Sequence, residues 1–94
     1  MNLGEGETGM GDLLKLNNIG KVLEEQLNEV GITSYEELKS IGSKEAWLRI
    51  KSIDPSACIH RLYALEGAIE GIKKSCLSQD KKNELREFYN NEKL

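Results

Sequence analysis

Residues 57–74 read ACIHRLYALEGAIEGIKK, and this stretch decides the fold that we predict. Its apolar residues and cysteines recur at alternating spacings of four and three, which places them in one stripe along an α-helix: Cys58, Leu62, Leu65, Ile69, Ile72 and Cys76. A second face of the same helix carries only small residues: Ala64, Gly67, Ala68 and Gly71. Small side chains let another backbone come close, and a glycine inside a helix costs about 1 kcal/mol against alanine. We therefore expect a central helix buried on two sides, with a self-association surface as the alternative use of the small face.

The segment before the central helix begins with another amphipathic pattern. Its apolar positions share one helical face: Ile19, Val22, Leu23, Leu27 and Val30. Asn18 has the side chain of an N-cap, and Gly31 followed by Ile32 is typical of a left-handed C-cap. We predict the first helix between these two residues.

Two more helices are indicated before the central one. Either Thr33 or Ser34, with a glutamate three residues later, has the spacing of a capping box, and Gly42 would stop this second helix. We expect Ser43 to cap a third helix, whose inward residues are Ala46, Trp47, Ile50 and Ile53.

The single proline separates the third helix from the central one. Because proline disfavours a helical residue before it, Pro55 breaks the chain, and Ser56 is expected to cap the central helix. Ser78 is expected to cap a last helix over about residues 79–90. No strand is predicted, so the fold class is all-α with about five helices.

Length and charge limit the classes of function. A chain of 94 residues is a single domain by its length. Residues 1–11 are acidic and glycine-rich, so we expect a flexible arm there and one helical domain over residues 12–94. The formal net charge is -3, and strong nucleic-acid binders usually carry a basic excess, which leaves only a local basic patch open.

Cysteine usage and hydropathy indicate a compartment. The chain has two cysteines, no secretory signal and no apolar run of membrane-spanning length, so we expect a cytoplasmic protein with no membrane contact. We interpret Cys58 and Cys76 as small buried hydrophobic residues, with a metal or redox role as the alternative. No metal and no cofactor are expected.

The turn at residues 18–21 is the candidate site. A glycine before a helix lets the first amides of that helix point outward, where they can bind a phosphate. This turn offers such amides and a lysine, and Gly42-Ser43-Lys44 offers a poorer version. The candidate nucleic-acid-binding residues are Asn18, Ile19, Gly20, Lys21 and Lys44. The alternative is a structural turn between packed helices, which the acidic pair Glu24-Glu25 favours.

Residues 16–32, LNNIGKVLEEQLNEVGI, resemble a helix-hairpin-helix motif. Further blocks match one family more specifically: LNNIG at 16–20, VGI at 30–32, EL at 37–38, IG at 41–42, AW at 46–47 and LYALEGAIEG at 62–71. On these blocks the chain resembles the C-terminal domain of the TfoX/Sxy competence regulators over about residues 13–89.

The resemblance implies a helix-hairpin-helix-like N-terminal half packed on the central helix. It also implies a non-enzymatic regulatory adapter that acts through protein contacts, with the transcription machinery as a candidate partner. Separately, we expect a monomer or a weak homodimer. Fuller members of the family carry an additional N-terminal domain, which we expect this chain to lack. The alternative is weak, sequence-independent DNA binding through the turn. Asn18 stands where a first glycine is common in hairpins that bind nucleic acid.

The remaining functional residue types form no catalytic constellation. Trp47 is expected in the core, Tyr63 with its hydroxyl at the rim of the core, and His60 in no metal or catalytic role. Glu66 and Glu70 lie one helical turn apart, and without a third ligand or a histidine partner they are not expected to act as catalytic carboxylates. We expect them to face solvent or to bridge to basic neighbours: Arg61, Lys73 or Lys74.

Overall fold

The computed structural model describes residues 13–93, and within that range every regular element is a helix. Five α-helices follow one another: α1 Lys21–Glu29, α2 Tyr35–Ile41, α3 Ser43–Ile53, α4 Ile59–Glu70 and α5 Gln79–Lys93. Short 3-10 helices lie at Leu13–Lys15 and Lys74–Cys76. The predicted all-α fold is therefore confirmed, while the predicted flexible arm lies outside the described residues.

Helix α4 is the centre of the molecule, as predicted. It packs against α2, α3, α5 and the 3-10 helix Lys74–Cys76. Both of its predicted faces are buried, the apolar stripe through Leu62 and Leu65 and the small face through Ala64, Gly67 and Ala68. Neighbouring helices on both sides explain how a helix with an internal glycine is stabilised.

The central helix is shorter than predicted. It ends where Gly71 adopts a left-handed conformation, with φ 78°, and the Ile72 amide donates to the Gly67 carbonyl over 2.9 Å. Glycine takes this conformation without a Cβ penalty, so the chain reverses there instead of continuing as a helix. The prediction that Ile72 and Cys76 extend the apolar stripe is therefore wrong.

The predicted end of α1 is confirmed by the same geometry. Gly31 has φ 90°, and the Ile32 amide donates to the Leu27 carbonyl over 2.8 Å. Ile32 is fully buried, so it supplies the apolar contact that accompanies this type of C-cap.

Two predicted N-caps are confirmed. The Ser34 hydroxyl accepts a hydrogen bond from the Glu37 amide over 3.1 Å, and the Ser78 hydroxyl accepts one from the Lys81 amide over 3.1 Å. Helix α5, which Ser78 opens, continues beyond residue 90 to Lys93.

Asn18, Ser43 and Ser56 are not N-caps, and these predictions are wrong. The caps of α1, α3 and α4 are Gly20, Gly42 and Cys58, none with a side-chain capping bond. Each predicted cap bonds elsewhere instead. The Ser43 hydroxyl donates to Glu66 Oε1 over 2.6 Å, and the Ser56 hydroxyl donates to Asp54 Oδ1 over 2.6 Å.

Trp47 lies in the core, as predicted, and attaches α5 to the rest of the fold. Its side chain is fully buried, and its Nε1 donates to the Cys58 carbonyl over 3.2 Å. The rings of Phe88 and Tyr89 in α5 contact it edge-on, with centroids 6.0 and 5.5 Å away. Such aromatic pairs stabilise a fold beyond their buried area.

Four residues that were predicted to be buried are exposed: Val22, Ile53, Cys58 and Cys76. Cys58 precedes the first turn of α4, and Cys76 lies beyond the chain reversal at Gly71. Both thiols are free.

A polar cluster joins α1, the loop after α3 and α4. Arg61 Nη1 donates to Asp54 Oδ2 over 2.6 Å, and Gln26 Nε2 donates to the same oxygen over 2.9 Å. Hydrogen bonds from the Ser56 hydroxyl, and then from Arg61 and Gln26, hold the pKa of Asp54 well below its ordinary value. The cluster connects α1 to α4 directly, because Arg61 Nη1 also donates to Gln26 Oε1 over 3.2 Å.

The segment before the 18–21 turn is the 3-10 helix Leu13–Lys15, so the helix-hairpin-helix detail stays a prediction. Among the helices described here, none is both long enough and apolar enough to cross a membrane.

Candidate functional site

Asn18 fixes the 18–21 turn to the end of α4. Its backbone is left-handed, with φ 71°, a conformation that asparagine tolerates better than most residues. Its Nδ2 donates to the Ile72 carbonyl over 3.0 Å and to the Ala64 carbonyl over 3.4 Å, while its Oδ1 accepts from the Lys74 amide over 3.0 Å. The side chain therefore has a structural role, and its hydrogen-bonding groups are used within the fold.

Gly67 makes this attachment possible. A Cβ at residue 67 would overlap the Asn18 amide nitrogen and would lie 2.8 Å from the Ile72 carbonyl oxygen. The prediction that a small face lets another chain segment approach α4 is confirmed at Gly67. It is wrong at Gly71, where nothing lies within 4 Å of a built Cβ and the residue serves as the C-cap.

A groove of about 490 Å³ lies between the 18–21 turn and α4. We call it the turn groove. Its apolar lining includes Val22, Leu23 and Ala64, and its basic lining consists of Lys21, His60, Arg61 and Lys74. Val22 is 64% exposed, so this aliphatic side chain faces the groove and solvent instead of the core.

Over the described residues 13–93, the lining of the turn groove contains no acidic side chain. Arg61 is paired with Asp54, whereas the side chains of Lys21 and Lys74 make no ion pair within the described part of the chain. Of the acidic pair that favoured a structural turn, Glu24 is buried at 5% exposure and Glu25 is exposed. The groove thus combines an apolar floor with an unneutralised positive rim.

The candidate nucleic-acid-binding residues are only partly brought together. Gly20 and Lys21 are exposed at the turn groove, Asn18 lines it, and Ile19 is buried in the core. Lys44 lies against α5 instead, where its Nζ is 2.7 Å from Glu84 Oε2 and 5.6 Å from the Phe88 ring centroid. Nucleic-acid binding by these residues stays a prediction.

Glu66 and Glu70 do not bridge to the predicted basic residues. Glu66 accepts from Ser43, and its Oε2 lies 3.8 Å from Lys81 Nζ. Burial raises the pKa of Glu66, but hydrogen bonds from Glu70 and Ser43 and the charge of Lys81 bring it below its ordinary value. The hydrogen bond to Glu66, with burial and the Glu66 charge, raises the pKa of Glu70. These contacts attach α4 to α3 and α5.

The described residues contain no group of three or more histidine, cysteine or acidic side chains that could hold a metal ion.

Sequence reasoning missed Val22, Arg61 and Lys74 as groove residues. Lys74 reaches the groove only because the chain reverses at Gly71 and returns over α4. A signal for this reversal was present, since Gly71-Ile72 repeats the glycine-apolar pair that ends α1 at Gly31-Ile32.

Comparison with known proteins finds a family whose model matches most of the chain. A family model described as the TfoX C-terminal domain matches residues 10–89. Protein Sxy of Escherichia coli K12 is 37% identical over 76 residues, which are 81% of this chain but 36% of that protein. The chain thus spans little more than a third of the length of this curated relative.

Two solved structures have the same fold. One is a crystal structure, in a triclinic form, of an uncharacterized protein from Listeria monocytogenes, with a TM-score of 0.86 and 50% identity over 87% of this chain and 93% of that one. The other, a tetragonal form of a Listeria monocytogenes protein of unknown function, has a TM-score of 0.83 and 51% identity over 85% of this chain and 98% of that one.

Proposed function

The chain belongs to the TfoX C-terminal domain family, and we propose that it is a non-enzymatic regulatory module of the competence-regulator kind, acting as an adapter through protein contacts. The turn groove is the surface to which we assign this binding. We further propose a cytoplasmic location, with the transcription machinery as the source of the partner.

The observation that carries the proposal is the exposure of Val22 on the floor of the turn groove. An aliphatic side chain that is 64% exposed and lies beside Leu23 and Ala64 offers an apolar anchor point. The positive rim of Lys21 and Lys74 surrounds it, and no acidic side chain in the described part of the chain joins them in the lining. This chemistry fits a protein segment that combines apolar anchors with acidic side chains.

Hydrogen bonds connect the elements of the groove on two sides. Asn18 ties the turn to the chain after α4, and Arg61 Nη1 ties α4 to α1 by donating to Gln26 Oε1 over 3.2 Å. A preformed surface loses little conformational freedom when a partner binds, which favours affinity.

Site-specific photo-crosslinking tests the proposal. A benzophenone amino acid replaces Val22 in one variant and Ile53, which is 42% exposed and outside the groove lining, in the control. Each is irradiated in an extract of the source cells, and the adducts are identified by mass spectrometry. We expect a discrete protein adduct from position 22 only, whose purified form binds the unmodified chain and loses affinity for Val22→Glu but not for Ile53→Glu. Equal adducts from both positions, or equal affinity for both glutamate variants, would refute the assignment.

A second candidate is sequence-independent binding of a DNA backbone at the same groove. The observation that favours it is the unpaired Lys21 beside the first turn of α1, whose N-cap Gly20 leaves the helix amides without a side-chain cap. Fluorescence anisotropy of a labelled duplex, at low and at physiological salt, tests it. Binding that weakens with salt and is lost in Gly20→Val/Lys21→Glu supports a phosphate contact. Binding that is unchanged in this variant excludes the turn.

A further inference from the structure

A second pocket lies where α4, the 3-10 helix Lys74–Cys76 and α5 meet. Its volume is about 290 Å³. We call it the Tyr63 pocket, and its lining residues are His60, Tyr63, Lys74, Ser75, Lys82 and Arg86. It adjoins the turn groove through His60 and Lys74 but shares none of the apolar floor around Val22.

The hydroxyl of Tyr63 is buried without a hydrogen-bond partner. The residue is 8% exposed, its ring packs edge-on against His60 with centroids 6.2 Å apart, and its Oη finds no partner in the described structure. The sequence predicted this hydroxyl at the rim of the core, but it is buried in a pocket wall. Tyr63 therefore lines the pocket with its ring, because its hydroxyl has almost no accessible surface that a ligand could reach.

Three cationic side chains line the same pocket without neutralisation. Lys74, Lys82 and Arg86 make no side-chain ion pair or hydrogen bond to any residue that the structure describes. Lys82 and Arg86 lie four residues apart on α5, where like charges repel each other. Among the residues that the structure describes, no acidic one lines the pocket.

The opposite side of α5 shows a different arrangement. There Lys81 and Lys44 both contact Glu84, with distances of 3.3 and 2.7 Å. Positive charge is therefore neutralised along one side of the helix and left unneutralised at the Tyr63 pocket.

We propose that the Tyr63 pocket binds the phosphate group of a small phosphorylated molecule. The polar groups of Ser75, Lys74, Lys82 and Arg86 can all donate hydrogen bonds, and the last three carry positive charge. A phosphate monoester has three terminal oxygens and close to two negative charges, so it matches this set better than a carboxylate, which has two oxygens and one charge.

The size of the pocket favours a small molecule over a polymer. Its volume of about 290 Å³ lies near the lower limit of pockets for small ligands. Three elements enclose it, so there is room for a phosphate and a small attached group. The proposal is independent of the proposed adapter function, because the residues specific to it are Tyr63, Ser75, Lys82 and Arg86.

Titrations followed by NMR test the proposal on the full chain. Inorganic phosphate and glucose 6-phosphate are added in turn, with glucose and sodium chloride at matched ionic strength as controls. We expect saturable shifts of the Ser75 amide, the Arg86 side chain and the Tyr63 ring with the two phosphates only.

Three variants make the test specific. Ser75→Ala removes one hydroxyl donor at an exposed lining position, so the fold should persist while phosphate affinity falls about fivefold, the loss of one hydrogen bond. Lys82→Gln/Arg86→Gln should abolish saturable binding. Lys73→Gln removes an exposed cation next to Lys74 that is outside the lining, and it should bind as the unmodified chain does.

Three results would overturn the proposal. One is shifts spread over all surface cations that follow ionic strength. Another is equal phosphate affinity in Ser75→Ala and the unmodified chain. The third is binding of a DNA duplex at Lys82 and Arg86 with no response to either small phosphate, which would assign these cations to a nucleic-acid surface. The Val22→Glu variant keeps the two proposals apart. It changes only the turn groove, so it should still bind phosphate even if the adapter proposal fails.

Discussion

The side-chain amide of Asn18 rests directly on Gly67, where any Cβ would overlap its nitrogen. From that position it donates to the Ile72 carbonyl over 3.0 Å, while its oxygen accepts from the Lys74 amide over 3.0 Å. Asn18 lies near the start of the described chain, and Gly67 lies 49 positions later in α4. The position of the Asn18 side chain therefore requires a glycine at residue 67. The turn groove depends on this fit, because it places both the turn and Lys74.

The change Gly67→Ala tests the fit. Alanine normally stabilises a helix interior by about 1 kcal/mol over glycine, but here the Cβ meets Asn18 and the Ile72 carbonyl. We expect a loss of about 1–3 kcal/mol in the free energy of unfolding, measured by urea denaturation, and a larger loss for Gly67→Leu. Gly20→Ala is the control, since nothing lies within 4 Å of its built Cβ. A gain in stability for Gly67→Ala would show that the close approach is absent.

Replacement of Asn18 separates hydrogen bonding from backbone strain. Asn18→Gly keeps the left-handed conformation accessible and removes the side-chain bonds, which should cost about 1–3 kcal/mol. Asn18→Ala should cost about 1 kcal/mol more, because alanine disfavours φ 71°. Both are measured by urea denaturation, and equal stability of the two variants would mean that the turn relaxes to another conformation.

Asp54→Asn should destabilise the protein at neutral pH. The folded-state pKa of Asp54 lies below its ordinary 3.8, so the ionised carboxylate stabilises the fold above that pH. This contribution is lost as the pH falls below 3.8 toward the folded-state pKa. Thermal melts between pH 2 and 7 should show the difference from the unmodified chain shrinking in acid. Glu25→Gln, at an exposed site on α1, is the control. Its difference in melting temperature from the unmodified chain should not shrink in acid in this way.

Glu70→Gln should stabilise the protein at neutral pH, whereas Asp54→Asn destabilises it. The neighbouring Glu66 raises the folded-state pKa of Glu70 above its ordinary 4.5, so ionisation of Glu70 opposes folding. The contribution of the protonated Glu70 to stability is fully present below pH 4.5 and is lost as the pH rises through the folded-state pKa. Glutamine does not ionise, so the Glu70→Gln variant avoids this loss. We expect a small increase in the melting temperature at pH 7 that disappears in acid. Glu66→Gln should instead lower it, since Ser43 and Lys81 lose a charged partner.

Cys58 and Cys76 should both react in the native state. Both thiols are free and exposed, so a disulfide reagent should titrate two thiols at similar rates with and without denaturant. If fewer than two thiols reacted before unfolding, at least one of the two cysteines would be buried, as the sequence analysis predicted.

Sequence patterns predicted helix ends correctly where the interactions that form the cap join residues close together in the chain. Ser34 and Ser78 cap their helices and Gly31 ends α1, because each effect involves atoms a few residues apart. The predictions for Asn18 and Ser43 were wrong because their side chains bond to Ile72 and Glu66, partners that only folding brings near. The groove residue Val22 was assigned to the core because its helical spacing fits an apolar stripe, yet no element among residues 13–93 covers it.

By itself the sequence determined the all-α class, the position of the central helix, the burial of Trp47 and the tight approach at Gly67, since periodicity and side-chain size act along the chain. It also carried the family resemblance that the comparisons confirmed. Only the tertiary structure decided that the chain reverses at Gly71 and returns over α4. That reversal brings Lys74 beside Lys21 on one side and beside Lys82 and Arg86 on the other. Residues so far apart in the chain become neighbours only through long-range contacts such as the Asn18 hydrogen bonds, which no local pattern encodes.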